Sequence, residues 1–514
     1  RCYIEGCDNA KTRFHEPWAS YAIPEASPSD VQCFKYTRVN RTTTTTCLQT
    51  DFSNVSERCG QWVYDTTEFE ETIVTEFNVV CKDEWLVSFA QSVFMLGVML
   101  SAVVFGQISD RYGRRISFLV IPPVFLISAW ATVFTYSYVA FTSVRFLTAI
   151  ASAALFQTSF VLAIELIGPS HRLISTLIYQ MAFPLGECFL ALSAYYLRTW
   201  RALEIALSIP VFLLLPYYWL LPESLAWCMY NNKHAQALDI INKAARWNKK
   251  PPATDMVSPA ISPSYSHCCN ECCTQPCGQA CRPISRESSS SSLTDLFKST
   301  RLCCRTLNVS FNWLVNAMVY YGLSLSAEDL AGSTYKNFVL LALIEFPGVV
   351  LSVLGLWWFG RRHVLSFYLI VAGIFCAIVP FVPDDMQWLT TTLVVIGKLN
   401  ITASFAVIYL YSAEVFPTSH RNTGIGIGSM SARVGTIAAP FVASDLGRLH
   451  PTMPMIVFGC MSLLAGVLTL ALPETKGQKL PHTIEEAESL GTPAYPSTEE
   501  ERTCLITGSS AYEE

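Results

Sequence analysis

Long apolar runs separated by short charged turns fill the chain from residue 86 onward. A helix needs about 20 apolar residues to cross a bilayer. Eleven stretches meet that length: 86–107, 116–137, 141–164, 173–197, 201–221, 303–324, 336–357, 364–383, 388–411, 423–443 and 454–472. Several contain Pro or Gly, which neighbouring helices accommodate inside a membrane. The pattern predicts an all-α membrane protein in five parts. These are a polar leading segment (1–85), a helical bundle (86–221), a polar connecting loop (222–302), a second bundle (303–472) and a tail (473–514).

The turns alternate in charge. One set carries Arg111, Arg114, Arg115, Arg172, Arg361, Arg362 and Arg421; the other carries Arg198, Arg201, Lys336 and Arg448. The more basic set is expected on the cytoplasmic side. That places 1–85 outside and both the connecting loop and the C-terminus inside, as in a multi-pass protein of the plasma membrane. The leading segment fits this sidedness. Cys2, Cys7, Cys33, Cys47, Cys59 and Cys81 are an even set suited to three disulfides, with fifteen pairings open. Asn40 and Asn54 head N-x-[ST] glycosylation sequons.

Composition agrees with the bilayer reading. Of 514 residues, 51% are hydrophobic and 15% charged, against roughly 25% charged in ordinary soluble domains. A net charge of −5 gives no reason to expect a nucleic-acid partner. No GxxxxGK[ST] loop is present, so ATP drive is not expected, and no hydrolase-type nucleophile motif points to an enzyme. No cofactor or metal is implied, and any coupling ion is left unnamed.

The second bundle repeats the first. "ELIGPSHR" begins at Glu165 and "EVFPTSHR" at Glu414, 249 residues on. "YGRR" at Tyr112 returns as "FGRR" at Phe359, 247 on, and "PES" at Pro222 returns as "PET" at Pro473, 251 on. Three markers in one order and phase imply a duplicated bundle of parallel topology. The second half has six spans and the first has five, so a further helix is expected before residue 1.

The markers carry chemistry. Gly106 is small enough for close helix approach. Asp110 can pair with Arg or cap a helix N-terminus. Arg111, Arg114 and Arg115 suit an anionic membrane surface. With Gly113, Glu165, Arg172 and Glu223, and with Arg361, Arg362, Glu414, Arg421 and Glu474 in the second half, they are expected to latch the bundles together on the cytoplasmic side. A plain positive-inside anchor is the alternative. Trp357 occupies the position of Asp110, so any latch is asymmetric.

"GQISDRYGRR", "PES" and "PETKG" resemble the loop signatures of the major facilitator superfamily. "WVYDTTEFEETIVTEFNVVC", "YQMAF", "YYWLLPES", "YYGLSLS" and "LPETKGQKLPHTIEEAE" resemble its organic cation, anion and zwitterion (carnitine) transporter family. The resemblance implies two pseudo-symmetric six-helix bundles rocking about a central site, with small organic solutes as partners.

Ionisable residues deep in a bilayer are expensive, about 2.5–3.5 kcal/mol each on insertion scales, and mark function. Glu187, Glu345, Lys398 and Arg433 fall near the middle of their spans and sum to zero charge. Such a balance suits a solute carrying both signs. By resemblance, Glu345 matches an acidic position of cation carriers. Arg433 stands where cation carriers tend to have Asp and where anion and carnitine-type members have Arg. Internal pairing, such as Glu345 with Arg433, is the structural alternative. Tyr179, Gln180, Phe183, Trp313, Tyr320 and Tyr321 can complete the site, since aromatic faces attract quaternary ammonium; helix packing is their alternative.

Between the halves, "ALDIINKAARWNKK" (237–250) reads as a basic amphipathic helix at the inner membrane surface. Six cysteines then crowd into Cys268–Cys281. Palmitoylation, zinc binding with atypical spacing and disordered filler all stay open there. The expectation overall is a transporter of small organic cations and zwitterions. An organic anion carrier, or a receptor with a vestigial cavity, is the alternative.

Overall fold

The computed structural model describes residues 1–8, 14–24, 33–39, 47–167, 172–251, 295–328, 330, 332–417, 420–478, 481 and 484–490. Asn40, the Cys268–Cys281 cluster and the tail beyond 490 lie outside them. In the first half, α1 (Trp85–Tyr112), α2 (Arg114–Val133), α3 (Tyr138–Leu166) and α4 (Arg172–Leu197) are long rods. The fifth rod starts as α5 (Trp200–Ser208) and continues through tighter turns to Leu220. The amphipathic α6 (His234–Trp247) follows, seating Ala237 against Trp227 and Cys228.

The second half opens with α7 (Thr300–Leu325). Its next rod is broken into α8 (Thr334–Leu343) and α9 (Glu345–Trp358). Pro347 explains the break: it lacks an N–H and its ring crowds the carbonyl four residues back, at Leu343. Glu345 therefore begins a helix at an interruption in the middle of a rod. α10 (Arg361–Ile378), α11 (Gln387–Val415), α12 (Arg421–Pro440) and α13 (Met453–Thr469) complete the half.

All eleven expected spans thus fall on helical rods, and eight of the described helices are long and apolar enough to cross a membrane. α13 is apolar but shorter, at 17 residues. α7 falls outside the eight. It is diluted by polar side chains, Asn308, Asn312 and Asn316 at four-residue spacing. Such residues face other helices rather than lipid. Asn312 and Asn316 are fully buried, and Asn312 accepts a hydrogen bond from Thr469 of α13 at 2.9 Å.

α7 and α12 press together at the centre of the second half. A Cβ at Gly435 would strike the Leu314 carbonyl, and one at Gly428 would strike the Trp313 indole. Small residues permit this approach.

The leading segment holds a two-stranded antiparallel ribbon, β1 (Phe34–Arg38) against β2 (Phe52–Arg58), with Phe34 opposite Arg58. The six cysteines pair as Cys2–Cys59, Cys7–Cys47 and Cys33–Cys81. Asn54 lies exposed on β2. The segment is tied to the first half by Arg201, which pairs with Glu76 at 2.6 Å and donates to the Val133 and Thr135 carbonyls.

The halves meet near this disulfide-bearing end. Ser92 of α1 donates to the Ile437 carbonyl of α12 at 2.8 Å, and Arg448 pairs with Glu84 at 3.0 Å. Tyr335 of α8 donates to the Glu68 carbonyl and packs beside Phe69 and Tyr195.

Candidate functional site

The repeated motifs meet at the opposite end, where they form the same assembly twice. Gly113 adopts φ +110°, a conformation glycine tolerates, and turns α1 into α2. A Cβ there would run into the Glu223 carboxylate. Helix N-termini leave backbone N–H groups unmet. Glu223 accepts from the Arg115 and Ser224 N–H groups at 2.9 and 3.0 Å. In the second half Glu474 accepts from the N–H groups of Arg361, Arg362, Thr475 and Lys476 at 2.7–3.2 Å. Burial opposes the Glu474 charge, but these four donors outweigh it and hold the carboxyl below its ordinary range.

The first glutamate of each octapeptide pairs with the first arginine of each Gly-Arg-Arg. The Arg114–Glu165 pair is at 3.4 Å and Arg361–Glu414 at 3.2 Å. Asp110 pairs with Arg114 at 2.8 Å, and its carbonyl accepts from the Trp227 indole. The Trp357 carbonyl, its counterpart, accepts from Lys476. Arg115 and Arg362 also reach carbonyls, of Tyr218 and Leu472. Arg111 lies over Tyr112. Arg172 and Arg421 open equivalent helices, α4 and α12.

Two expectations change here. The expected latch spans the halves, whereas each of these pairs stays within its own half and ties its own bundle. Among the described residues, the ion pair and hydrogen bonds given for the junction of the halves sit at the other end. Gly106 was expected at a close helix crossing, but a Cβ added to it meets nothing within 4 Å.

Midway along the rods, α7, α9 and α11 build a buried polar centre. Glu345 and Lys398 are 3% and 1% exposed. Lys398 Nζ lies 2.9 Å from Glu345 Oε1, and the Tyr320 hydroxyl donates to that same oxygen at 2.6 Å. The ammonium also donates to Ser324 Oγ at 2.6 Å and to the Tyr320 carbonyl at 3.3 Å. It sits 3.3 Å from the centre of the Tyr320 ring. A buried charge persists when it is paired and hydrogen-bonded, and this one is both. The pairing expected between Glu345 and Arg433 is replaced by Glu345 with Lys398. Arg433 instead lies within electrostatic reach of Tyr321 and Tyr409.

The first half reaches this centre through α4. The Phe183 ring stands 6.5 Å from that of Tyr320, and Glu187 is within electrostatic reach of Lys398 and Glu345. Tyr321 packs edge-on to Tyr320 at 5.2 Å. Two other expected residues point elsewhere. Tyr179 turns into its own half, with its hydroxyl on Ser159 and the Phe156 carbonyl. Trp313 is 1% exposed and bonds Ser412 Oγ at 2.9 Å, so it is part of the core. Gln180 lies partly buried beside Tyr179.

Three participants escape a reading of charges alone. Ser324 is one turn beyond Tyr320 on the same face of α7. Phe405 and Tyr409 extend the aromatic run, with centroids of Phe405–Tyr320 at 5.9 Å and Trp313–Tyr409 at 4.3 Å. Phe405 lies seven residues after Lys398, two helical turns along one face, which is a signal a helical plot of α11 contains.

The chain is similar to known proteins. Residues 51–487 match the family described as "Sugar (and other) transporter". The "Organic cation transporter protein" of Drosophila melanogaster is 37% identical over 450 residues, covering 87% of this chain and 80% of the relative. "Solute carrier family 22 member 3" of Rattus norvegicus is 33% identical over 84% of this chain and 74% of its own length. Among solved structures, the xylose transporter XylE from E. coli, in its inward open conformation, superposes with a TM-score of 0.57. It is 18% identical, with 79% of this chain and 89% of that one covered, and so supports the fold alone.

Proposed function

The chain belongs to the sugar (and other) transporter family of the major facilitator superfamily, among the organic cation transporters of solute carrier family 22, and from that premise we propose that it moves small organic cations and carnitine-type zwitterions by alternating access. It is a multi-pass membrane transporter and not an enzyme.

The observation that carries the substrate class is Lys398. An ammonium held between a carboxylate and the face of a tyrosine occupies the environment a quaternary ammonium would seek. The protein's own cation thus reports what the chamber favours. For a zwitterion, Arg433 beside Tyr321 supplies the partner for the carboxylate. Arg433 Nε is buried without a hydrogen-bond partner, which leaves it a donor to offer.

The distribution of contacts supports the transport cycle. The halves touch at the disulfide-bearing end, while the Gly-Arg-Arg assemblies at the other end each brace a single half. We read this as a state closed outside and open inside, in the plasma membrane, with residues 1–85 extracellular. Rocking would break the Glu84–Arg448 and Tyr335 contacts and close the basic end.

The test is uptake of labelled tetraethylammonium and carnitine by cells expressing the complete protein. Both are expected to enter and to compete. Arg433→Ala is expected to lose carnitine uptake and retain tetraethylammonium. The anion reading rests on Arg433 and Lys398 together; uptake of labelled benzoate in preference to both would establish it instead. Uptake of none of these, with normal surface expression, would end the transport reading.

A further inference from the structure

The two carboxylates at the centre are not equivalent. Glu345 is buried, and its Oε1 takes both the Tyr320 hydroxyl and the Lys398 ammonium. An ammonium has three donors. Those of Lys398 go to Glu345 at 2.9 Å, Ser324 at 2.6 Å and the Tyr320 carbonyl at 3.3 Å. None is left over.

Glu187 approaches from the other half. It stands one turn beyond Phe183, on the same face of α4, and Phe183 meets Tyr320 across the boundary. α4 packs on α8 and α9, and Glu345 is the first residue of α9. Glu187 therefore faces the Glu345–Lys398 pair, yet it makes no hydrogen bond or ion pair among the described residues and remains partly exposed. Around Tyr320 and Tyr321 two carboxylates face two bases, Lys398 is committed to Glu345, and the carboxylate left without a hydrogen bond or ion pair among the described residues is Glu187.

We infer that Glu187 is the carboxylate that receives the positive charge of the substrate, and that Glu345 acts as the scaffold that positions Lys398. This rests on the cation and zwitterion reading above. A monocation entering the chamber meets the unpaired Glu187, is walled by the Phe183 and Tyr320 rings, and leaves the buried pair intact. Because Phe183 and Glu187 belong to the first half and the rest of the centre to the second, the substrate charge bridges the two bodies that must move together.

The test compares Glu187→Gln, Glu187→Asp and Glu345→Gln in the complete protein expressed in cells. Initial rates of tetraethylammonium uptake are normalised to biotinylated surface protein. Glu187→Gln is expected to raise KM about tenfold or more, the loss of one charge contact, with maximal rate per surface molecule little changed. Glu187→Asp is expected to fall between it and the parent. An unchanged KM in Glu187→Gln, or equal KM in the Asp and Gln variants, would overturn the assignment while leaving transport standing. A parent protein that takes up no cation would remove both together, and so be told apart.

Discussion

At the Gly-Arg-Arg end, Glu223 caps α2 and Arg114 pairs with Glu165; in the second half, Glu474 caps α10 and Arg361 pairs with Glu414. At the centre this likeness stops. The second half contributes Tyr320, Glu345, Lys398 and Arg433, most of them locked to one another. The first half contributes Phe183 and a carboxylate without a partner. The shared part keeps each bundle rigid at one end, a task any rocking pair needs on both sides. The unshared part is where we propose that solute is recognised, and recognition gains from two dissimilar walls. Duplication thus preserved the frame and left the interior free to diverge.

The largest expected effect tests whether the second half's charges are structural. Lys398→Ala or Glu345→Ala leaves one buried charge unpaired, a loss of about 3–5 kcal/mol. The detergent-solubilised variants should melt well below the parent. The double change Glu345→Gln with Lys398→Met should recover most of that loss, because both charges leave together. Glu187→Ala should leave the melting point near the parent value, since nothing is left unpaired. Equal destabilisation by Glu187→Ala and Glu345→Ala would break the comparison between the halves.

A smaller effect separates the two caps. Glu474 satisfies four backbone N–H groups and Glu223 two. Each buried donor left unmet costs about 1–3 kcal/mol at most sites, less where water can enter. Glu474→Ala should therefore lower the melting point more than Glu223→Ala. pH tests the Glu474 cap by a second route. Because the Glu474 carboxyl is held below its ordinary range, the stability it adds is complete above the unfolded carboxylate pKa. That stability is lost as pH falls through the lowered folded value. The parent should lose stability over that acid window and Glu474→Gln should lose less; identical acid profiles would count against the cap.

Much of this frame is legible in the residues. The apolar runs locate every rod, and the three in-phase markers set the capping glutamates, Glu223 and Glu474, and the members of both Arg–Glu pairs at equivalent turns of the two halves. Pro347 marks the break at which Glu345 begins a helix. Partner choice at the centre is less legible. Glu345 can be matched in principle to either base, and only the facing of α11 against α9 brings Lys398 and not Arg433 to it. The same holds for Tyr179 and Trp313: a hydroxyl or indole one or two turns along the same face finds a helix neighbour instead of the centre. The latch misreads for a similar reason, since charge at a helix end says that a partner exists but not in which half.

The smallest effect concerns the contacts that do cross between halves. Arg448 reaches Glu84 at 3.0 Å and Asp445 at 2.9 Å, and all three keep some solvent exposure. Such pairs contribute about 0.2–1 kcal/mol. That is too little to unfold anything, yet enough to shift an equilibrium between two states about one- to fivefold. Ser92, buried at the same closed end against Ile437, offers a reporter. In a Ser92→Cys background, Arg448→Gln should speed labelling by a membrane-impermeant maleimide added outside, by a few-fold at most. Changing Arg361, whose ion pair stays within one half, should leave that labelling rate alone. If Arg361→Gln accelerated labelling as much as Arg448→Gln, the division between bracing contacts at one end and gating contacts at the other would be wrong.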